Sequence, residues 1–336
     1  MVNMYKAAVL SLTTIMCWAM SNIFLRYCLL EYGCNQYAMA CSNIVFCGLT
    51  MIALGSRNTD VWKIVKNYQT WLFGGLQIFR NMFMIMAFFY ISSTQANLLA
   101  NIEIVFSVLF AWVLFKRKPG AIDGIAMVFI VIGCFILLAG LPFDVMVKSS
   151  LFVAISAFLN VLRTIIAEVY ADNKANLSVK ERLSMTGWIM FVSAMTFIIA
   201  AAILGFIVSV VPHSVVEALP FLKILPAPSE YIAMNNILSG LINGVCFYAL
   251  SMYCYLYAVS VSNSEYFMMF RSTQAVFTYI VEVLVSTFTV LPFLPLTATD
   301  WIAAVTIILS SACMVLMRTP RGKQLRHHIA QLLHSA

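Results

Sequence analysis

The chain has 336 residues, of which 62% are hydrophobic and 10% charged, with a net charge of +7 and a mean hydropathy of +0.94. That hydropathy excludes an ordinary water-soluble domain. Apolar stretches of about 20 residues follow one another from Lys6 to Arg318, each long enough to cross a ~30 Å hydrocarbon core, and the polar gaps leave no room for a separate soluble domain.

In chain order the predicted spans cover 7–30, 35–55, 71–91, 95–115, 122–141, 150–170, 186–210, 233–258, 264–287 and 299–317. The fold class expected is an all-α polytopic membrane protein with ten transmembrane helices. The first segment has one upstream lysine and no small-residue cleavage site, so it is expected to stay as a span. All nine prolines fall between or beyond the spans, as strong helix breakers should.

Basic residues set the orientation. With the N-terminus inside, fourteen Lys and Arg lie in inner segments, including Lys116, Arg117, Lys118, Lys180 and Arg182, against Lys148 and Lys223 outside. Both termini are therefore expected in the cytoplasm. The basic segment 319–336 is expected to be a solvated tail.

Arg26, Arg80, Arg163 and Arg271 lie within spans, where a charge is expensive and marks a functional position by default. Polar residues form stripes at helical spacing. Thr14, Trp18, Ser21 and Asn22 make one in the first span; Gln77, Arg80 and Met84 in the third; Ser156, Asn160 and Arg163 in the sixth. Asn236, Ser239, Asn243, Phe247 and Cys254 share an arc in the eighth, and Arg271, Gln274, Thr278 and Glu282 in the ninth. Gly240 and Gly244 form a GxxxG, whose default use is close helix packing. Arg26, near the outer end of its span, is expected to snorkel. Arg80 and Glu103 lie at depths of ~16 and ~11 Å by helical rise and are expected to pair. Glu103 is roughly 160° from Asn97 and Asn101, so on one straight helix they cannot face one cavity.

Other chemistries are poorly served. The nine cysteines are scattered mostly within apolar segments with no CxxC, and His213, His327, His328 and His334 all lie outside the spans. No span interior holds aspartate, no P-loop occurs, and an intramembrane protease lacks a base or ligand. No enzyme activity, metal or cofactor is expected, and no nucleic acid.

At a constant offset of 171, "AFFYISSTQANLLANIEIVF" (87–106) aligns without a gap to "AVSVSNSEYFMMFRSTQAVF" (258–277). The turn after the fourth span carries "KRKP", whereas that after the ninth, "LPFLPLTATD", has no basic residue. Equivalent loops on opposite sides indicate an inverted repeat, common in secondary transporters. Together with "CWAMSNIFLR" (17–26) and "FRNMFMIMAFFYISSTQANLLANIEIVFSVLFAWVLFKRKP" (79–119), and with "STQAVFTYIVEVL" (272–284) and the span from Trp301 in the second half, the chain resembles the EamA-like branch of the drug/metabolite transporter (DMT) superfamily. Where such proteins usually carry proline before Val-Phe, Ile104 and Ala275 stand here.

The resemblance implies two EamA-like five-helix repeats, 1–145 and 146–318, followed by the tail. It also implies alternating access through a cavity lined by the first, third, fourth, sixth, eighth and ninth spans, in a bacterial inner membrane. The substrate-site candidates are Trp18, Asn22, Arg80, Asn101, Glu103, Asn160, Arg163, Asn243, Phe247, Arg271, Gln274 and Glu282. Their surplus of guanidinium suits a zwitterionic or anionic metabolite. An amino-acid-like compound is one such, and S-adenosylmethionine another, since Arg80 and Gln274-Ala275-Val276 resemble that branch of carriers. A bilayer and a coupling proton or counter-substrate are the remaining partners expected. An exporter of other specificity, a receptor or a scramblase are the competing classes.

Overall fold

The computed structural model describes residues 2–57, 59–170, 177–210, 226–289 and 295–318. The tail 319–336, His213, Lys174 and Lys223 lie outside the described residues.

Among the described residues the regular elements are helices. They are α1 (Val2–Glu31), α2 (Gln36–Leu54), the short α3 (Val61–Lys66), α4 (Tyr68–Ala87), α5 (Ser93–Leu99), α6 (Ile102–Phe115), α7 (Ala121–Ala139), α8 (Phe143–Val169) and α9 (Val179–Val210). After a 3-10 turn at Pro228–Ile232 come α10 (Met234–Val261), α11 (Ser264–Met269), α12 (Arg271–Phe288) and α13 (Ala298–Arg318). Seven stretches are long and apolar enough to cross a bilayer: Tyr5–Glu31, Gln36–Leu54, Ser93–Phe115, Ala121–Ala139, Phe143–Val169, Val179–Val208 and Met234–Val261. The sequence reading expects ten. Polar residues lower the hydropathy of α4 (Gln77, Arg80, Asn81) and of α12 (Arg271, Gln274, Glu282), and Ala298–Met314 is a shorter apolar helix.

Two boundaries differ in ways that matter for charge. Pro142 caps α8, which therefore starts seven residues before the predicted span, so Lys148 is helical and lies 5.6 Å over the Tyr90 ring. Likewise α9 begins at Val179 and takes in Lys180 and Arg182.

The outward faces are apolar as well as the core. Ile125, Val128, Phe129, Ile132 and Phe135 on α7 are exposed, as are Ile199, Ile203 and Phe206 on α9, while Asn, Gln, Arg and Glu are buried among the apolar residues of the interior. Exposed large aliphatics over whole helix faces are what lipid, not water, solvates. Helices α7 and α13 pack together, as do α2 and α9, and α4 and α8; α1 packs against α10 and α12. The GxxxG of α10 lies against α2, where a Cβ on Gly240 would fall 2.3 Å from the Ser42 Cβ and one on Gly244 2.7 Å from the Asn43 carbonyl oxygen. Close backbone approach explains those glycines.

Three irregularities re-aim side chains. Helices α5 and α6 are separated at Ala100–Asn101, and α11 and α12 at Phe270. At both breaks i to i−3 bonds replace the usual ladder: Glu103 N–H to the Ala100 oxygen (3.0 Å) and Thr273 N–H to the Phe270 oxygen (3.1 Å). The amides stay satisfied while the helix face rotates. At the offset of 171 the first residue of α5, Ser93, falls on the first residue of α11, Ser264. Helix α5 packs on α12 and α6 on α11, so the two broken helices run antiparallel. The third irregularity is a π turn, Gly244–Tyr248, inside α10.

Candidate functional site

Three guanidiniums converge on one indole. The Cζ atoms of Arg80, Arg163 and Arg271 lie 5.4, 5.3 and 5.5 Å from the Trp18 ring centroid. They come from α4, α8 and α12, and all are buried, with exposures of 3%, 0% and 1%. Tyr255 and Phe267 complete an aromatic wall, their centroids 5.6 and 5.8 Å from that of Trp18. Arg163 sits closest to a ring at Tyr255, 4.4 Å away, whose hydroxyl donates to Thr164 Oγ1 (2.9 Å).

The charge at this centre is not balanced. Glu103 Oε2 lies 3.1 Å from Arg271 Nε and accepts from Asn160 Nδ2 (2.6 Å). Arg80 Nη1 donates to Asn81 Oδ1 (2.9 Å), and its Nε and Nη2 have no hydrogen-bond partner among the described residues. The same holds for Nη1 and Nη2 of Arg271 and for both amide atoms of Gln274, while the Arg163 guanidinium bonds to the Tyr255 hydroxyl and has no carboxylate or amide partner among the described residues. Each aromatic face stabilises a desolvated cation by about 2 kcal/mol or more, whereas desolvating it costs several. Three like charges gathered around one ring also repel one another. Such a cluster costs stability, so it is kept for a reason other than folding.

Polar contacts close the bundle on either side of this centre, and the two closures share a design. At one end Arg26 Nη1 meets Glu282 Oε1 (2.6 Å), and Glu282 Oε2 accepts from the Thr94 amide (3.2 Å) and hydroxyl (2.6 Å) at the start of α5. Beneath it Asn22 Nδ2 donates to Asn97 Oδ1 (3.1 Å), and Asn97 Nδ2 to Thr278 Oγ1 (3.0 Å). At the other end Arg117 Nη2 meets Glu168 Oε1 (2.6 Å), and Glu168 Oε2 accepts from the Ser264 amide (2.9 Å) and hydroxyl (2.6 Å) at the start of α11. Glu265 adds a second contact to Arg117 at 3.3 Å. Burial works against the charge of Arg117, but bonds to Glu168 and Glu265 outweigh it and hold its pKa above the ordinary value. In each lock one carboxylate joins an arginine to the N-terminus of a broken helix, where the helix dipole also favours an anion.

Residues 5–139 match the sequence profile of the EamA-like transporter family. This part of the chain is similar to that family, a branch of the drug/metabolite transporter superfamily. The fold occurs among solved structures: of 28 matching chains, one crystal structure of a protein has a TM-score of 0.60 at 14% identity, covering 91% of this chain and 96% of its own. That likeness speaks for the fold alone. No curated protein matches the chain at comparable stringency.

The EamA-like segment supplies Trp18, Arg26, Arg80, Glu103 and Arg117, and the remainder supplies Arg163, Glu168, Arg271 and Glu282, so centre and locks both draw on the whole chain. Of the residues predicted from sequence, Trp18, Arg80, Glu103, Asn160, Arg163 and Arg271 meet at the centre, with Gln274 one turn beyond Arg271. The expected Arg80–Glu103 pair is not formed: Arg271 lies beside Glu103, and Arg80 turns to Asn81. Arg26 does not snorkel; it is 3% exposed and bound to Glu282, which places Glu282 in a lock rather than the centre. Asn22 belongs to the ladder beneath that lock. Asn101 donates to the Asn97 and Leu98 carbonyls of its own chain, and the break there lets Asn97 and Glu103 both be buried. Asn243 is buried with no partner among the described residues for either side-chain atom.

Phe247 faces Phe24 (6.2 Å between centroids) and stays outside the cluster. The π turn adds a residue to the helical repeat and rotates the rest of α10. Tyr248 therefore points inward instead, accepting from Gln77 and from Asn81 Nδ2 (2.8 Å), and Tyr255 comes seven residues on. Sequence spacing missed both tyrosines, and the only cue was the pair of glycines just before them.

Proposed function

We propose that the chain is a secondary active transporter that moves a small zwitterionic or anionic organic metabolite by alternating access. The observation that carries this reading is the cluster of Arg80, Arg163 and Arg271 around Trp18, buried, incompletely hydrogen-bonded and lying between two ion-pair locks. Guanidinium donors bind planar oxyanions in a fork geometry, and an aromatic wall accommodates the organic body of a ligand. The anionic end of the substrate range suits the cluster better than S-adenosylmethionine, which brings two cationic groups and one carboxylate to a site already rich in cations.

Ten spans in two inverted five-helix repeats, 1–145 and 146–318, suit the same reading. Support comes from the antiparallel α5–α6 and α11–α12 pairs, broken at corresponding places, and from locks of like chemistry at opposite ends. Opening one end requires Glu282 to release Arg26 and Thr94, and opening the other requires Glu168 to release Arg117 and Ser264. With both locks formed, the centre is closed from both sides. The basic distribution supports a reading with both termini on the cytoplasmic side of a bacterial inner membrane, and a proton or counter-substrate is the coupling partner we propose.

The test is a thermal-shift screen of metabolites on the purified protein, followed by uptake of the hits into proteoliposomes. Saturable uptake that falls at least about tenfold in Arg80→Ala and Arg271→Ala is expected, the loss of charge-assisted bonds to the substrate. A confirmed substrate carried normally by both variants would refute the arginine site, and no saturable flux of any metabolite would refute transport.

A further inference from the structure

Counting charge at the centre narrows the ligand further. Arg80, Arg163 and Arg271 stay protonated, since guanidinium does not deprotonate in proteins. Glu103 is the one carboxylate within ion-pair distance of any of the three among the described residues. Of the other buried acids among the described residues, Glu282 is committed to Arg26 and Glu168 and Glu265 to Arg117 at the two ends, while Asp123 and Asp300 accept from the Gly120 and Thr297 amides at the starts of α7 and α13. The centre therefore carries two positive charges in excess. A zwitterion leaves both uncompensated, and a monoanion leaves one. A group with two negative charges brings the closed centre to neutrality, the condition under which buried ions are least costly.

The donors agree with the charge. Nitrogens without a hydrogen-bond partner among the described residues remain on Arg80 (Nε, Nη2) and on Arg271 (Nη1, Nη2), and Arg163, bonded to the Tyr255 hydroxyl, has no carboxylate or amide partner; the three arginines come from three helices around one ring. A single carboxylate offers two oxygens and engages one guanidinium fork. A phosphate monoester offers three terminal oxygens, and a dicarboxylate four, so either can bridge two or three arginines at once.

We infer, resting on the reading of this cluster as the substrate site, that the centre binds a doubly negative group of its substrate, a phosphate monoester or a dicarboxylate. Arg163 is the decisive residue, because no carboxylate or amide among the described residues takes up its nitrogens.

Two matched pairs of probes test this by calorimetric titration of the purified protein in detergent at about pH 7.5, above the second phosphate pKa of roughly 6. Methyl phosphate and dimethyl phosphate share their chemistry but differ in charge, as do succinate and monomethyl succinate. The dianion of at least one pair is expected to bind at least ~tenfold tighter than its monoanion, and the pair that discriminates identifies the source. Arg163→Met and Arg80→Gln are each expected to weaken the dianion ~tenfold or more and to erase the discrimination, while Lys148→Gln, on an exposed position of α8, leaves it unchanged. Equal binding of dianion and monoanion, no binding of either dianion, or binding unaffected by both arginine variants would overturn the inference. Dianion binding without flux in proteoliposomes would remove the transport reading and leave the site standing. Saturable, arginine-dependent flux of a zwitterion with no dianion binding would do the reverse.

Discussion

The centre of the bundle and its two ends use the same residue types to opposite effect. At the ends each arginine meets a carboxylate at 2.6 Å, and each carboxylate is further held by a Ser or Thr hydroxyl and amide. At the centre three arginines share one carboxylate, and most of their N–H groups have no partner among the described residues. The ends are chemically complete as they stand, which is what a closure needs. On the proposed reading a bound anion completes the centre, which is what a site needs. Buried charge alone does not distinguish structure from function; the balance of donors and acceptors around it does.

The contrast can be broken at the ends first. Arg26→Leu leaves Glu282 buried without its cation and is expected to cost about 3–5 kcal/mol, whereas Arg26→Leu with Glu282→Leu should recover most of that loss. Thermal unfolding in detergent reads both, and a single variant as stable as wild type would mean that the pair is not a lock. Next is the tyrosine delivered by the π turn. Tyr248→Phe removes the acceptor of Gln77 and Asn81 and is expected to cost about 1–3 kcal/mol. Phe247→Leu should cost less; the reverse order in the same assay would contradict the rotated register. The smallest effect belongs to Arg117→Ala. Its side chain is 38% exposed, and Glu168 keeps its Ser264 bonds, so about 1 kcal/mol is expected, shrinking as salt is raised.

The sequence made the polar centre legible because lipid-facing helices leave so few places for a charge. Stripes at 100° per residue picked out Trp18, Arg80, Asn160, Arg163, Arg271 and Gln274, all of which are buried. The partners of those residues were not legible. Depth along straight helices paired Arg80 with Glu103, but the break at Ala100–Asn101 rotates Glu103 toward Arg271 and Asn160. Distance from the span end made Arg26 a snorkelling residue, because nothing local announces that Glu282, 256 positions on, meets it. Phe247 was chosen over Tyr248 for the same physical reason: a single inserted residue in a π turn changes which face looks inward. Periodicity reads regular helices, and this site is assembled at three irregular ones.

Arg163→Met tests the central claim most directly, because no carboxylate or amide among the described residues takes up the Arg163 guanidinium. Replacing a buried cation that has no carboxylate partner with an apolar side chain of similar length should raise the unfolding temperature even though its contacts to Tyr255 and the other rings are lost. In proteoliposomes the same variant should lose saturable substrate flux at least about tenfold, the scale of one charge-assisted contact. A higher melting temperature together with lost flux is the predicted result. A lower melting temperature with flux intact would show that Arg163 holds the bundle together, and would contradict the assignment of the centre as the substrate site.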